Sequence, residues 1–163
     1  MRVGITGCAG FLGSHLTDAL LSRGHYVVGV DNLSMGKIEN VQHNFEKPEF
    51  EFYKEDVRNL TALQNMFHDV DVIVHLAAYK IPRYGNSIKT LLINSEGTHN
   101  VLEVARMFNA KAVIASTSDV YGKNPELPFS EESNLVLGPS TVRRWSYAVS
   151  KLFDEHLAFA YQE

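Results

Sequence analysis

Tyr147 and Lys151 stand four residues apart in the stretch WSYAVSK, a spacing that puts both side chains on one face of a helix beginning near Ser146. An ammonium close to a phenol lowers the phenol's pKa, so such a pair can act as a base near neutral pH. The same ammonium can hold a ribose. A little upstream, ASTSDVYG offers hydroxyls at Ser116, Thr117 and Ser118, able to bond a substrate oxygen. Each feature also has a plainer use, since Tyr and Lys at this spacing occur on many surface helices and Ser/Thr clusters cap helices.

A second constellation lies at the other end of the chain. TGCAGFLG, residues 6–13, places Gly7, Gly10 and Gly13 directly after the apolar run Val3 to Ile5. Glycines between a strand and a helix permit a tight turn, let the backbone approach a pyrophosphate and let the helix pack close to the strand. The helix N-terminus then favours the negative charge. The alternative is a glycine-rich turn without a ligand. Asp31, 18 residues after Gly13 and at the end of the next apolar run, argues for the dinucleotide, because a carboxylate there accepts hydrogen bonds from the adenosine ribose and repels a 2′-phosphate. NAD is therefore expected rather than NADP. Asp56 can receive the adenine amino group, or serve as an acid at a helix N-terminus.

Five segments rich in β-branched and aromatic residues must carry these groups: Arg2 to Ile5, Tyr26 to Val30, Glu49 to Tyr53, Val70 to His75 and Lys111 to Ala115. Helical patterns separate them. Leu12, Leu16, Ala19 and Leu20 share a face ahead of Arg23-Gly24, a C-cap signal; the apolar spacing from Ile88 to Phe108 marks a longer helix. Alternation of this kind predicts an α/β fold, a doubly wound Rossmann-type parallel sheet with helices on both faces, with ligands at the carboxyl ends of the strands.

Composition narrows the partners. With 45% apolar residues, 21% charged, a net charge of −4 and no Lys/Arg-rich run, the chain reads as one globular domain over residues 1–163 and not as a nucleic-acid binder. A single cysteine, Cys8, rules out an internal disulfide. Lacking a leader-like segment or an 18-residue apolar span, the sequence is expected to be cytoplasmic with no membrane partner. The seven histidines show no metal-ligand spacing, so no metal is assigned. Cys8 is either a thiol activated at a helix N-terminus or a small residue tolerated beside a ligand. The stretch Val120 to Thr141, with Pro125, Pro128, Gly138 and Pro139, is long for a connection and reads as a substrate loop or a surface excursion.

Taken together, these motifs resemble the extended short-chain dehydrogenase/reductases of the nucleotide-sugar epimerase, dehydratase and decarboxylase group. Gly7, Gly10 and Gly13 match that family's TGxxGxxG loop, with Phe11 and Leu12 inside it, and Asp31-Asn32 match its ribose-binding pair. Asp56-Val57 match its adenine contact, and Leu76, Ala77 and Ala78 of HLAA match the segment bordering the cofactor. Asn94 matches its active-site asparagine; Thr117, Tyr147 and Lys151 match its catalytic Ser/Thr, Tyr and Lys. The resemblance implies that Tyr147 takes a proton from a sugar hydroxyl while hydride passes to NAD, giving a transient keto-sugar whose fate sets the product.

Two branches of the family leave traces. STSDVYG, SNLVLGP and RRWSYAVSK resemble the UDP-glucuronate decarboxylases, except that Asp119 stands where that branch is expected to have Glu; Lys80 and DNLS resemble the UDP-galactose 4-epimerases. A UDP-sugar 4-epimerase is the expectation, with decarboxylase or 4,6-dehydratase as the alternative, and a non-catalytic NAD-sensing module as the alternative of another class. The resemblance further implies a homodimer, a nucleotide-sugar substrate, probed most directly with UDP-sugars, and a chain that ends before the later strands and the substrate domain of its relatives.

Overall fold

The computed structural model describes residues 1–80 and 86–162. Five strands, β1 (Arg2–Thr6), β2 (Tyr26–Val30), β3 (Phe50–Tyr53), β4 (Val72–His75) and β5 (Lys111–Ile114), form one sheet in the order β3-β2-β1-β4-β5. Every pairing is parallel. The order reverses between β1 and β4, where Thr6 lies opposite His75 at the carboxyl ends, and such a reversal opens the crevice in which doubly wound sheets hold ligands.

Two apolar layers sandwich the sheet. On one side Val3, Ile5, Val27 and Phe50 pack with Leu16, Leu20 and Leu21 of helix α1 (Phe11–Ser22); on the other Val28, Val30 and Ile73 pack with Leu63 and Met66 of α2 (Leu60–Met66) and with Val101, Val104 and Ala105 of α3 (Ser87–Phe108). Alternate residues of one strand thus serve opposite layers, as the pleat requires. The predicted strands are present, with β4 starting at Val72 instead of Val70. Val70 and Asp71 form the approach, where the Asp71 N–H already donates to Arg2 O at 2.8 Å. One predicted face needs correction: Leu12 is 66% exposed, because the α1 stripe facing the sheet runs through Leu16, Leu20 and Leu21. The C-cap prediction holds, with Gly24 at φ +75° and the His25 N–H closing onto Leu20 O at 3.1 Å.

The described residues group into two compact units, Met1–Ala78 with Glu96–Ala115, and Tyr79–Ser95 with Ser116–Glu163. The sheet, α1, α2 and the later part of α3 belong to the first. The second contains the start of α3, a short 3-10 turn Ser118–Tyr121 and α4 (Trp145–Ala160). Between turn and helix, the stretch 120–141 is knitted to itself: Gly122 bridges to Val136, the Lys123 N–H donates to Val136 O at 2.7 Å, Tyr121 and Phe129 stack at 4.7 Å, and buried Asn124 donates to Asn134 O.

Candidate active site

In the first unit the turn after β1 owes its shape to glycine. Gly7 has φ +72°, and a Cβ there would lie 2.8 Å from the Ala77 N; a Cβ on Gly13 would lie 2.1 Å from the Gly7 carbonyl oxygen. The N-cap of α1 is Gly10, which has no side chain to cap the N–H groups of the first turn, so the positive end of a 12-residue helix is left to other partners. Phe11 and Leu12, in that first turn, are 77% and 66% exposed. Such a bare helix N-terminus with an apolar rim fits a pyrophosphate and the flat groups attached to it.

Asp31 follows β2 and lies buried beneath the turn. Its Oδ2 accepts from the Ala9 N–H at 3.0 Å and its Oδ1 from the Leu33 N–H at 2.8 Å. The carboxylate therefore braces the glycine turn, with further lone pairs available for hydroxyls. Asn32 donates to Asp56 Oδ2 at 3.0 Å, which joins the two residues expected to flank adenosine. Asp56 is also clamped by Arg58, through Nε to Oδ1 and the terminal nitrogen to Oδ2, both at 2.9 Å. The Arg58 guanidinium holds the Asp56 carboxyl well below the usual carboxylate range. Val57 is buried, with Gly97 lacking the Cβ that would strike it. Leu76, Ala77 and Ala78 follow β4; the Ala77 N–H donates to Thr6 Oγ1 at 3.3 Å. Cys8 has no exposed surface, and burial followed by the Asp31 charge pushes its thiol up. This favours the packing reading over a reactive thiol.

The second unit carries the residues expected to transfer the proton. Thr117 caps the 3-10 turn by accepting from the Asp119 N–H at 3.3 Å, and Ser116 bonds to the Glu155 carboxylate of α4. Asp119 faces Arg144 at 3.6 Å. The α4 helix buries polar groups among apolar ones: Tyr147, Ser150, Lys151 and Asp154 lie inside with Trp145 and Ala148, while Val149, Phe153 and Phe159 are exposed. Lys80 lies over the Tyr147 ring, its Nζ 5.8 Å from the centroid. Burial first, then the Asp119 and Asp154 charges, push the Tyr147 phenol up from its ordinary value. The Lys151 Nζ donates to Asp154 Oδ2 at 2.9 Å.

Asn94 holds these pieces in register. Its Oδ1 accepts from the Tyr79 N–H at 2.7 Å, and its Nδ2 donates at 2.9 Å to Ser150, whose hydroxyl donates to Tyr147 O at 2.8 Å. The sequence marks Asn94 but not Ser150 or Asp154, although Ser150 and Asp154 sit three and seven residues after Tyr147 on the same helical face.

A parallel sheet with a glycine turn at its reversal defines a dinucleotide-binding fold of the Rossmann type. The chain belongs to the family described as GDP-mannose 4,6 dehydratase, whose pattern matches residues 5–163, within the NAD-dependent epimerase/dehydratase group. It is 43% identical over 124 residues to UDP-glucuronic acid decarboxylase 4 of Arabidopsis thaliana, covering 75% of this chain and 27% of that protein. It is 36% identical to the UDP-N-acetyl-alpha-D-glucosaminuronate decarboxylase of Bacillus cytotoxicus, covering 96% of this chain and 49% of the other. Among solved structures, the Thermus thermophilus UDP-glucose 4-epimerase in complex with NAD is 33% identical with a TM-score of 0.83, over 99% of this chain and 50% of that one. The chain thus spans at most about half the length of these relatives. Among the described residues no helix is long and apolar enough to cross a membrane.

Proposed function

We propose that the whole protein is an NAD-dependent UDP-sugar 4-epimerase, and that this chain supplies its cofactor half and its proton-transfer residues. The observation that carries the reading is the buried polar face of α4, on which Tyr147 and Lys151 lie one turn apart in the unit that also holds Thr117. A helix that hides a phenol and an ammonium while exposing Phe153 and Phe159 has an interior built for chemistry.

Gly7, Gly10, Phe11, Leu12 and Gly13 would hold the NAD pyrophosphate, Asp31, Asn32, Asp56 and Val57 its adenosine, and Leu76, Ala77, Ala78, Lys80 and Asn94 would border its other half. Bound NAD supplies a reversible hydride acceptor. Tyr147 as phenolate removes the proton of the sugar hydroxyl, Thr117 shares that hydrogen bond, and Lys151 holds ribose hydroxyls and favours the phenolate. Inversion requires the keto-sugar to present its other carbonyl face for return of the hydride that NAD would hold, while Tyr147 gives its proton back to the carbonyl oxygen. Lys80 beside the Tyr147 ring, the feature that resembles the 4-epimerases, supports this outcome.

Decarboxylation is the second reading, favoured by the 43% identity to a UDP-glucuronic acid decarboxylase, with Asp119 the departure from that branch. Full-length protein given UDP-glucose, UDP-galactose, UDP-glucuronate and dTDP-glucose, with products read by proton NMR, tests both. A C4 epimer supports the proposal, and a pentose with CO2 replaces it by the second reading. NAD binding with no product from any sugar indicates a sensing module instead. Self-association through exposed Val149 and Phe153 on α4 belongs to the same proposal; sedimentation showing only monomer at micromolar concentration overturns that part.

A further inference from the structure

Asp154 takes no part in the chemistry just described, yet it is the most deeply placed charge among the described residues of the second unit. It is 1% exposed, its partner Lys151 is 2% exposed, and the two are joined at 2.9 Å across one turn of α4. A carboxylate this far from water is costly to keep ionised without a partner, and Lys151 is that partner. The helical spacing makes the pairing specific. Tyr147, Lys151 and Asp154 occupy positions i, i+4 and i+7, so the ammonium sits between the phenol above it and the carboxylate below it on one buried stripe.

We propose that Asp154 is a positioning residue that holds the Lys151 ammonium toward the base of α4 and thereby governs how readily Tyr147 gives up its proton. The inference rests on the reading of Tyr147 as the base, which it deepens. An ammonium neutralised by a buried carboxylate exerts little pull on a phenol, and the carboxylate itself opposes a phenolate. Other charged groups facing Tyr147 among the described residues act beside this pair. Lys80 over the ring favours the phenolate; Asp119, from the 3-10 turn, opposes it and is partly answered by Arg144. Of these, Asp154 alone is hidden from solvent, where a charge acts with least screening. The phenol is accordingly raised in the cofactor-free protein, with Asp154 among the causes after burial and Asp119.

The test is direct titration of Tyr147 in cofactor-free, full-length protein carrying 13C at the tyrosine ζ carbons, with Tyr147→Phe identifying the resonance. Asp154→Asn removes the carboxylate while keeping shape, and the Tyr147 titration should then move down by about one pH unit or more. Because that change also strands a buried ammonium and risks unfolding, the pair Lys151→Met and Lys151→Met/Asp154→Asn is compared as well. With no ammonium left to release, the downward movement between those two should be clearly smaller than between wild type and Asp154→Asn. A Tyr147 titration unchanged or raised by Asp154→Asn overturns the proposal, as does an equal movement with and without Lys151. The readout needs no turnover. If Tyr147→Phe leaves catalysis intact, the reading of Tyr147 as base falls whatever its titration does; if Tyr147→Phe abolishes catalysis and the titration ignores Asp154, only the role of Asp154 falls.

Discussion

A single hydroxyl separates Tyr147 from phenylalanine, and the consequences of losing it diverge by property. Tyr147→Phe in the full-length protein should cut turnover by about two to four orders of magnitude, the range for a positioned proton-transfer group. Stability should respond only at high pH. The folded phenol is raised above its unfolded value of about 10, so the stability tied to its protonated form is complete below that pH and is lost as pH rises through the folded value. Chemical denaturation between about pH 9 and pH 12 should therefore show a steeper alkaline loss in wild type than in Tyr147→Phe, and identical slopes would place the phenol in water instead of on the buried face of α4. Asp31→Ala carries two costs. It should weaken NAD binding by about 1–3 kcal/mol through loss of a charged acceptor, NADP less, and it should also lower stability, because the Ala9 and Leu33 N–H groups lose their partner. Calorimetric titration with both cofactors checks the first; an equal loss for the two removes Asp31 from the ribose.

At the scale of elements, the strands and the glycine turn were legible because their signals are local: β-branched and aromatic runs, and glycines spaced between a strand and a helix. What escaped depended on burial that spacing alone does not encode. Leu12 satisfies a helical stripe but sits where the first turn leaves the sheet. Asp154 and Ser150 carry no sequence signal and emerge only once α4 is seen to bury them and expose Phe153 and Phe159. The stretch 120–141 gave only its proline and glycine content, whereas links such as Asn124 to Asn134 and Gly122 to Val136 join residues ten or more apart. Packing there is tight: a Cβ on Gly138 would fall 2.1 Å from the Trp145 indole nitrogen. Trp145 is the sole tryptophan. Gly138→Ala should displace its ring, shift its fluorescence and destabilise by upwards of about 1 kcal/mol, as overpacking does; an unshifted emission spectrum would show that the ring does not rest on Gly138.

At the scale of the whole molecule, the residues proposed for the pyrophosphate and adenosine fall in one compact unit and Thr117, Tyr147 and Lys151 in the other. Cofactor binding and proton transfer should therefore separate under mutation. A ligand that binds only the folded protein stabilises it by mass action, about 2.7 kcal/mol at a hundredfold excess over Kd, or roughly 5–10 °C in Tm for a chain of this size. NAD should raise the Tm by that much in wild type and equally in Tyr147→Phe, since the lost hydroxyl leaves the glycine turn intact. Gly13→Ala should behave in the opposite way. Its Cβ, 2.1 Å from the Gly7 carbonyl oxygen, forces the turn open, lowering the Tm without NAD and abolishing the rise with it. Differential scanning calorimetry of the three proteins, with and without NAD, decides the matter. A Gly13→Ala protein that folds and still gains the full increment would mean that the cofactor does not lie on the turn at the head of α1, and the assignment of residues 7–13 would fail with it.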